Sequence, residues 1–516
     1  MNNIEKEYIV VTKRGVNVAE LDYDLASPRG SGIIPERPVK IAKERLGSKR
    51  MTHFMLTDEE AELLSKDERV ISVEINPEHR DDIEIILNAS QDNYFYKGYS
   101  GSSEQVNWGL RRCIDKNNDY SNNTTIDGDY EYALDGAGVD VVIQDTGIEP
   151  NHPEWEDKDG ITRLQQIDWY TESGLTGTQH EDFYGDYDGH GTHCAGIAAG
   201  KTYGWAKGSH IFAQKLDSLK GTEDPGTGFS TSESFDFIRL WHENKTNGRP
   251  TVVNMSWGYR GTSDNAPTSG VYKGVAWELG DKTDDDLWND YGIVKALTGS
   301  RIINAQITSV DTEIEEMIDA GIHVCIASGN NYYKADIPDI DGGTGDYDNN
   351  AVFSGLTRYY NRPSSPYSPR AFFVGNVDST TQLDNTEYKD RPVGSSNRGP
   401  ASNIWAPGTN ITSTCSNTSR FSTKLYPEDS NYRITTIGGT SMASPQVAGL
   451  CALHLQVFPK ATPEQLFNRI IGDTEEVIYQ TENNDTDYYT FAHYSLCGSP
   501  NRMMFSRYGR QPLKIS

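Results

Sequence analysis

The sequence predicts an α/β domain on a mainly parallel sheet covered by helices on both faces, preceded by a small α+β unit. Apolar, β-branched runs recur far apart: Val139, Val141, Val142 and Ile143 ending at Asp145, then Thr251-Val252-Val253-Asn254-Met255-Ser256, then Ile322-His323-Val324-Cys325-Ile326-Ala327. Helical segments alternate with them, as at His193 to Ala199 and Ser444 to Val457. Strands alternating with helices make a parallel sheet buried on both sides. The stretch from about Glu7 to Ile75 has another pattern, short strands around a capped helix, and stands apart.

In chain order, Tyr8-Ile9-Val10-Val11 is a strand signal. Thr57 before Asp58, Glu59 and Glu60 is a helix start with acids in its first turn. Val70 to Ile75 is a further strand, and the loop from about Leu21 to Arg50 is long. These bound a first unit over 1–78. Residues 79–105 are polar, with Asn, Asp, Tyr, Gly and Ser, and are expected to be a linker. The main domain is expected over 106–480. Within it Tyr259 to Val310 and Asn331 to Tyr367, rich in Asp, Gly, Asn and Tyr, are expected as surface loops. A polar extension over 481–516 ends the chain.

A length of 516 residues is long for one domain. The net charge of -28 argues against a nucleic-acid partner, which needs a basic face, and suits a very soluble protein. No stretch of about eighteen apolar residues occurs, so no membrane span is expected. The first residues lack a basic start followed by an apolar run, so no secretory signal is seen and an intracellular or virion-borne protein is expected. The six cysteines are scattered without a C-x-x-C pair, which favours free thiols.

Three short segments carry the chemistry: Asp145-Thr146-Gly147, His190-Gly191-Thr192-His193-Cys194-Ala195-Gly196 and Gly439-Thr440-Ser441-Met442-Ala443-Ser444-Pro445. A serine hydroxyl is a poor nucleophile until a neighbouring base takes its proton, and the base needs an acid to orient it. Ser441 is the candidate nucleophile, His190 the base and Asp145 the orienting acid. Pro445 fits the first turn of a helix, so Ser441 is expected at a helix N-terminus, where a developing oxyanion is favoured. His193 is expected to be structural. Alone, Ser441 reads as an N-cap and Asp145 as a turn residue. A metal site on His190, His193 and Cys194 lacks the glutamate of H-E-x-x-H. No second Asp-Thr-Gly-like segment supports an aspartic protease.

The order Asp, His, Ser and the residues around each group resemble the subtilisin-like serine proteases. The stretch from His190 to Leu216 is similar to the proteinase K group within them. The resemblance implies a subtilisin-like three-layer domain and a serine endopeptidase acting on protein or peptide substrates through a Ser441 acyl-enzyme. It implies that Asn330, after Ala327-Ser328-Gly329, and the backbone N–H of Ser441 receive the oxyanion. Ser256-Trp257-Gly258 would form a cleft wall that holds substrate by strand addition, with Trp257 as an aromatic wall. The first unit, ending VISVEINPE, resembles an inhibitor-type propeptide, so a zymogen is expected, cut within 79–105 and inhibited by its own N-terminal unit. Val106-Asn107-Trp108-Gly109-Leu110 resembles the opening of the mature enzyme. Cys194 would lie buried close to His190. No cofactor is required. Structural calcium is a family habit, but no site is assignable: beside the carbonyls near Pro369 and Ala371, where a carboxylate would be needed, this chain has Asn403. Asp284-Asp285-Asp286, Asp346 and Asp348 read as solvated acids. A monomer is expected. A protein whose cleft stays blocked, acting as a binding component, and an esterase are the alternatives.

Overall fold

The computed structural model describes residues 4–27, 37–80, 82–87, 107–115, 118, 132–216, 219, 224–295, 299–384, 387–480 and 495–508. The N-terminal unit is an antiparallel sheet in the order Lys40–Lys43, Met51–Leu56, Lys6–Thr12, Val70–Ile75. Because strand side chains alternate, Tyr8 and Val10 pack with Phe54, Leu56 and the helix residues Leu21, Leu25 and Leu64, while Ile9 and Val11 cluster separately with Met51. The helix Asp58–Leu64 starts at the capping box seen in the sequence: Glu60 N donates to Thr57 Oγ1 at 3.2 Å and Thr57 N to the Glu60 carboxylate at 2.8 Å.

This unit sits on two helices of the main domain, Thr231–Asn244 and Thr308–Asp319. Ser309 N donates to Glu74 at 2.5 Å and Thr231 N to Glu78 at 2.6 Å. Each carboxylate thus meets the positive end of a helix.

The linker expected over 79–105 begins as one more strand. Ile83–Leu87 pairs antiparallel with Trp257–Ser263, Ile86 opposite Gly258 and Leu87 opposite Trp257. Its Ile-Glu-Ile-Ile-Leu run is a strand signal that the polar flanks hide. The rest of the expected processing segment, with Val106, lies outside the described residues, as do 481–494 and 509–516.

The main domain is built on six strands in the order Ile404–Pro407, Phe372–Val377, His323–Ala327, Thr251–Met255, Asp140–Asp145, His210–Lys215, every pairing parallel. All three sequence-predicted strands are present, and their residues are buried. The carboxyl ends of Asp140–Asp145 and His323–Ala327 lead straight into Asp145 and Asn330, as open parallel sheets place their sites.

Two expectations about the periphery are corrected. The stretches Tyr259 to Val310 and Asn331 to Tyr367 are not loose surface loops. Ser269–Tyr272 and Val275–Glu278 from the first join Asn350–Phe353 and Leu356–Tyr359 from the second in one antiparallel sheet. Trp277, Leu287, Tyr291, Ile303, Phe353 and Tyr360 give this sheet its own core. The aromatic residues scattered among the polar ones drive this folding through the area they bury. Nor is the end of the chain wholly an extension beyond 480. Leu496, Met503 and Met504 are fully buried in the main core, and Trp405 exchanges backbone bonds with Arg502 and Met504. The apolar residues of this stretch, Leu496, Met503, Met504, Phe505 and Tyr508, are too unevenly spaced among polar ones to show a period.

All six cysteines are unpaired and buried. Among the described residues no helix is long and apolar enough to cross a membrane.

Candidate active site

Each candidate residue is delivered by the end of an element. Asp145 ends its strand, His190 opens the helix His190–Ala199, and Ser441 stands in the first turn of the helix Thr440–Val457. His190 Nδ1 lies 2.7 Å from Asp145 Oδ1, with both side chains wholly buried. Burial alone would pull the imidazole pKa down. The Asp145 carboxylate, by its charge and this hydrogen bond, holds it well above the ordinary value.

The loop that brings the two together is organised by Asp186, which the sequence reading missed. Its carboxylate accepts from Thr146 Oγ1 and Gly189 N, both at 2.9 Å, and from Thr192 N and Oγ1 at 2.9 and 2.6 Å. Thr146 Oγ1 in turn accepts from Gly191 N at 2.8 Å. Gly191 must be glycine, since a Cβ there would stand 2.2 Å from the Gly147 carbonyl. The clue was the short acid-rich string just before the histidine.

Ser441 Oγ donates to the Ser256 carbonyl at 2.8 Å. Its bond to His190 is not made, and His190 Nε2 is buried without a partner, open as an acceptor. One thiol touches both residues: Cys194 Sγ is 3.4 Å from the Ser441 backbone carbonyl and 3.9 Å from His190 Nδ1. Pro445 stands in the second helical turn, not the first as the sequence reading put it. It has no N–H to give the Ser441 carbonyl four residues back. That carbonyl accepts instead from Ser256 Oγ at 3.0 Å and from Cys194. The proline therefore ties the nucleophile's turn to the cleft strand and the histidine helix.

Asn330 Oδ1 accepts from Thr440 N at 3.0 Å, which fixes the amide. Its Nδ2 is buried with no partner. A buried donor left unpaired is costly unless a ligand group completes it, which suits a receiver of transient negative charge. His193 is structural as expected, its Nε2 held by the Ile411 and Thr435 carbonyls, and burial takes its pKa down to about 3. It cannot join a metal site with His190. Among the described residues the cluster with metal-ligand spacing is Asp145, His190 and Cys194, which contains the candidate acid and base and leaves His193 out.

Trp257 corrects another expectation. Its side chain is fully buried in the main core, the ring 6.2 Å from Phe235 and 5.9 Å from Tyr259. Trp257 offers the neighbouring strand its backbone, through the pairing with Leu87.

The calcium position does not fit a cation. Asn403 Nδ2 donates to the Ala371 carbonyl at 2.8 Å, and its Oδ1 accepts from Phe373 N at 3.1 Å. A donor hydrogen occupies the oxygen an ion would need. Asn403→Asp is expected to gain a calcium-dependent rise in melting temperature of about 2 °C beyond that of the unmodified protein. Equal rises in the two proteins would count against this.

A sequence model described as the Subtilase family matches residues 136–490. The chain belongs to the subtilase family. It is 26% identical over 482 residues to the extracellular serine proteinase of Thermus sp. strain Rt41A, covering 91% of this chain and 84% of that protein. It is 28% identical over 332 residues to a subtilisin-like serine protease of Cochliobolus lunatus, covering 64% of this chain and 46% of that one. The chain thus spans about half the length of the fungal relative. Fervidolysin from Fervidobacterium pennivorans has a similar fold, with a TM-score of 0.50 at 17% identity, covering 96% of this chain and 60% of that chain. This subtilase is accordingly a serine endopeptidase of the subtilisin type.

In this subtilase Cys194 is a built-in handle on the site. Because Cys194 Sγ touches both the Ser441 carbonyl and His190 Nδ1, one mercury on it is expected to displace both, and mercurial labelling of Cys194 should abolish casein hydrolysis in proportion to the label. A fully active enzyme carrying one mercury at Cys194 would contradict the geometry.

Proposed function

We propose that this subtilase is made as a zymogen that cuts itself, and that it hydrolyses peptide bonds through a Ser441 acyl-enzyme. One observation carries the zymogen reading: the Ile83–Leu87 strand lies along Trp257–Ser263 as a substrate would. Leu87 is opposite Trp257, and Ser441 Oγ rests on the carbonyl of Ser256, the next residue of the wall. The chain is therefore expected to be cut beyond this strand, on the C-terminal side of Leu87.

The reaction follows from the groups in place. The Ser441 hydroxyl turns from the Ser256 carbonyl to His190 Nε2, gives up its proton and attacks the scissile carbonyl. Asn330 Nδ2 and the Ser441 backbone N–H receive the oxyanion. His190, its charged form held by Asp145, returns the proton to the leaving amine. Water then repeats the cycle on the ester. Likeness of the His190 to Leu216 stretch supports placing the enzyme with the proteinase K group.

The test follows the chain's own mass alongside casein hydrolysis and labelling by a serine-directed phosphonate. Loss of the N-terminal unit together with the Ile83–Leu87 strand, with casein hydrolysis and labelling, is expected. A permanently full-length chain that takes no probe would leave the blocked-cleft alternative standing instead.

A further inference from the structure

The expected loop from Leu21 to Arg50 is broken by the end of the helix Val18–Ala26 and the strand Lys40–Lys43, and its last part, residues 44–50, lies in the seam between the helices Thr231–Asn244 and Thr308–Asp319. The seam carries three buried carboxylates, Asp236, Glu313 and Glu316, against one guanidinium of the main domain, Arg239. Arg239 reaches Asp236 at 2.7 Å, Glu313 at 3.1 Å and Glu316 at 3.4 Å. Arg45 brings the second cation. Its Nε donates to Asp236 at 2.7 Å, and Nη2 to Asp236 at 3.0 Å, to Glu313 at 2.5 Å and to the Ser232 carbonyl at 3.0 Å. Its side chain is 1% exposed.

The loop backbone is fitted to the same seam. Arg239 Nε donates to the Gly47 carbonyl at 2.7 Å and Lys49 N to Glu316 at 3.0 Å. A Cβ on Gly47 would stand 2.4 Å from Asp236 Oδ1, so only glycine allows this approach.

We propose that this seam is a binding socket for an arginine side chain, and that Arg45 in it holds the N-terminal unit on the main domain after the connecting chain is cut. The inference rests on the zymogen reading for the cut, and on the seam alone for the socket. A planar fork of donors matches two carboxylates and a carbonyl at once, which a lysine ammonium cannot. Withdrawing it leaves three buried carboxylates sharing one cation, and removing one partner of a buried pair is far more costly than replacing both. The contacts of Glu74 and Glu78 with the helix ends are separate from this one.

The test compares the full chain with its Arg45→Met variant. After self-cleavage the N-terminal fragment should co-elute with the remainder in wild type and hold casein hydrolysis back. In the variant it should separate, and hydrolysis should begin without a lag. Adding Glu313→Gln to Arg45→Met should restore part of the retention, and millimolar methylguanidinium should stabilise Arg45→Met but not wild type. Equal retention and equal lag in wild type and Arg45→Met would overturn the socket. In uncut Ser441→Ala chains, hydrogen exchange at the Lys49 amide, which donates to Glu316 in the seam, should be about 100-fold faster with Arg45→Met; equal rates would also overturn it. Should Arg45→Met fold poorly, Arg45→Lys carries the same comparisons. A wild-type chain that never cuts itself sinks the zymogen reading, and the exchange rates then decide the socket alone.

Discussion

Ser441→Ala is expected to lower casein hydrolysis by about 10⁶-fold and to leave the chain at its full mass indefinitely. The size follows from what the substitution removes. Among the described residues, no other hydroxyl in a helix's first turn donates to the Ser256 carbonyl while its own residue's carbonyl meets Cys194 beside His190. Taking away the nucleophile leaves only binding and the oxyanion donors to act on water. The fold should hardly notice, because the hydroxyl gives a single bond to the Ser256 carbonyl, whereas the Ser441 carbonyl keeps its bonds to Ser256 and Cys194. Mass spectrometry of purified wild type and variant, with phosphonate labelling as a second readout, checks this. A variant that still releases an N-terminal fragment would move the nucleophile elsewhere.

The candidate site was legible in the sequence because His190 and Ser441 each sit in a run of small residues whose backbone demands are severe. Gly191, pressed on the Gly147 carbonyl, shows why so little else fits beside the histidine. The strands of the central sheet were legible for a similar reason: buried on both faces, they read as continuous apolar runs. What the sequence hid depends on partners distant along the chain. Ile83–Leu87 is a strand only because Trp257–Ser263 offers an edge to pair with. Trp257 reads as a surface aromatic until its alternation on that strand turns it into the core. The paired inserts fold because Trp277 and Tyr291 from one meet Phe353 and Tyr360 from the other. Pro445 was misplaced by one turn, because the helix begins at Thr440 and tolerates a proline whose freed carbonyl finds side-chain donors. Nothing local announces the buried carboxylates of Arg45, which lie 191 and 268 residues further along the chain.

Asp145→Asn is expected to lower kcat by about 10⁴-fold with little change in KM, and to move the rising limb of the pH–rate profile to lower pH. Both effects come from one contact. Asp145 Oδ1, 2.7 Å from His190 Nδ1, accepts a hydrogen bond from the N–H there and so keeps Nε2 as the lone pair available to Ser441. An asparagine can present an N–H instead. It then favours the tautomer with the proton on Nε2, where the base is needed. The pH effect has a definite sign. In the native site the carboxylate outweighs burial and holds the imidazole above its ordinary pKa, so the neutral base accumulates only as pH rises through that raised value. Without the carboxylate, burial dominates and draws the pKa below the ordinary 6.5, and the limb falls with it. The folded state should respond in the same sense. A raised histidine pKa contributes stability below the unfolded value that is lost as pH rises through the folded one, and this contribution should vanish in Asp145→Asn. Steady-state kinetics from pH 5 to 10, with melting temperatures at the same pH values, separate the orienting role from a merely structural one. An unchanged limb position would show that Asp145 does not set the charge state of His190, whatever happens to kcat.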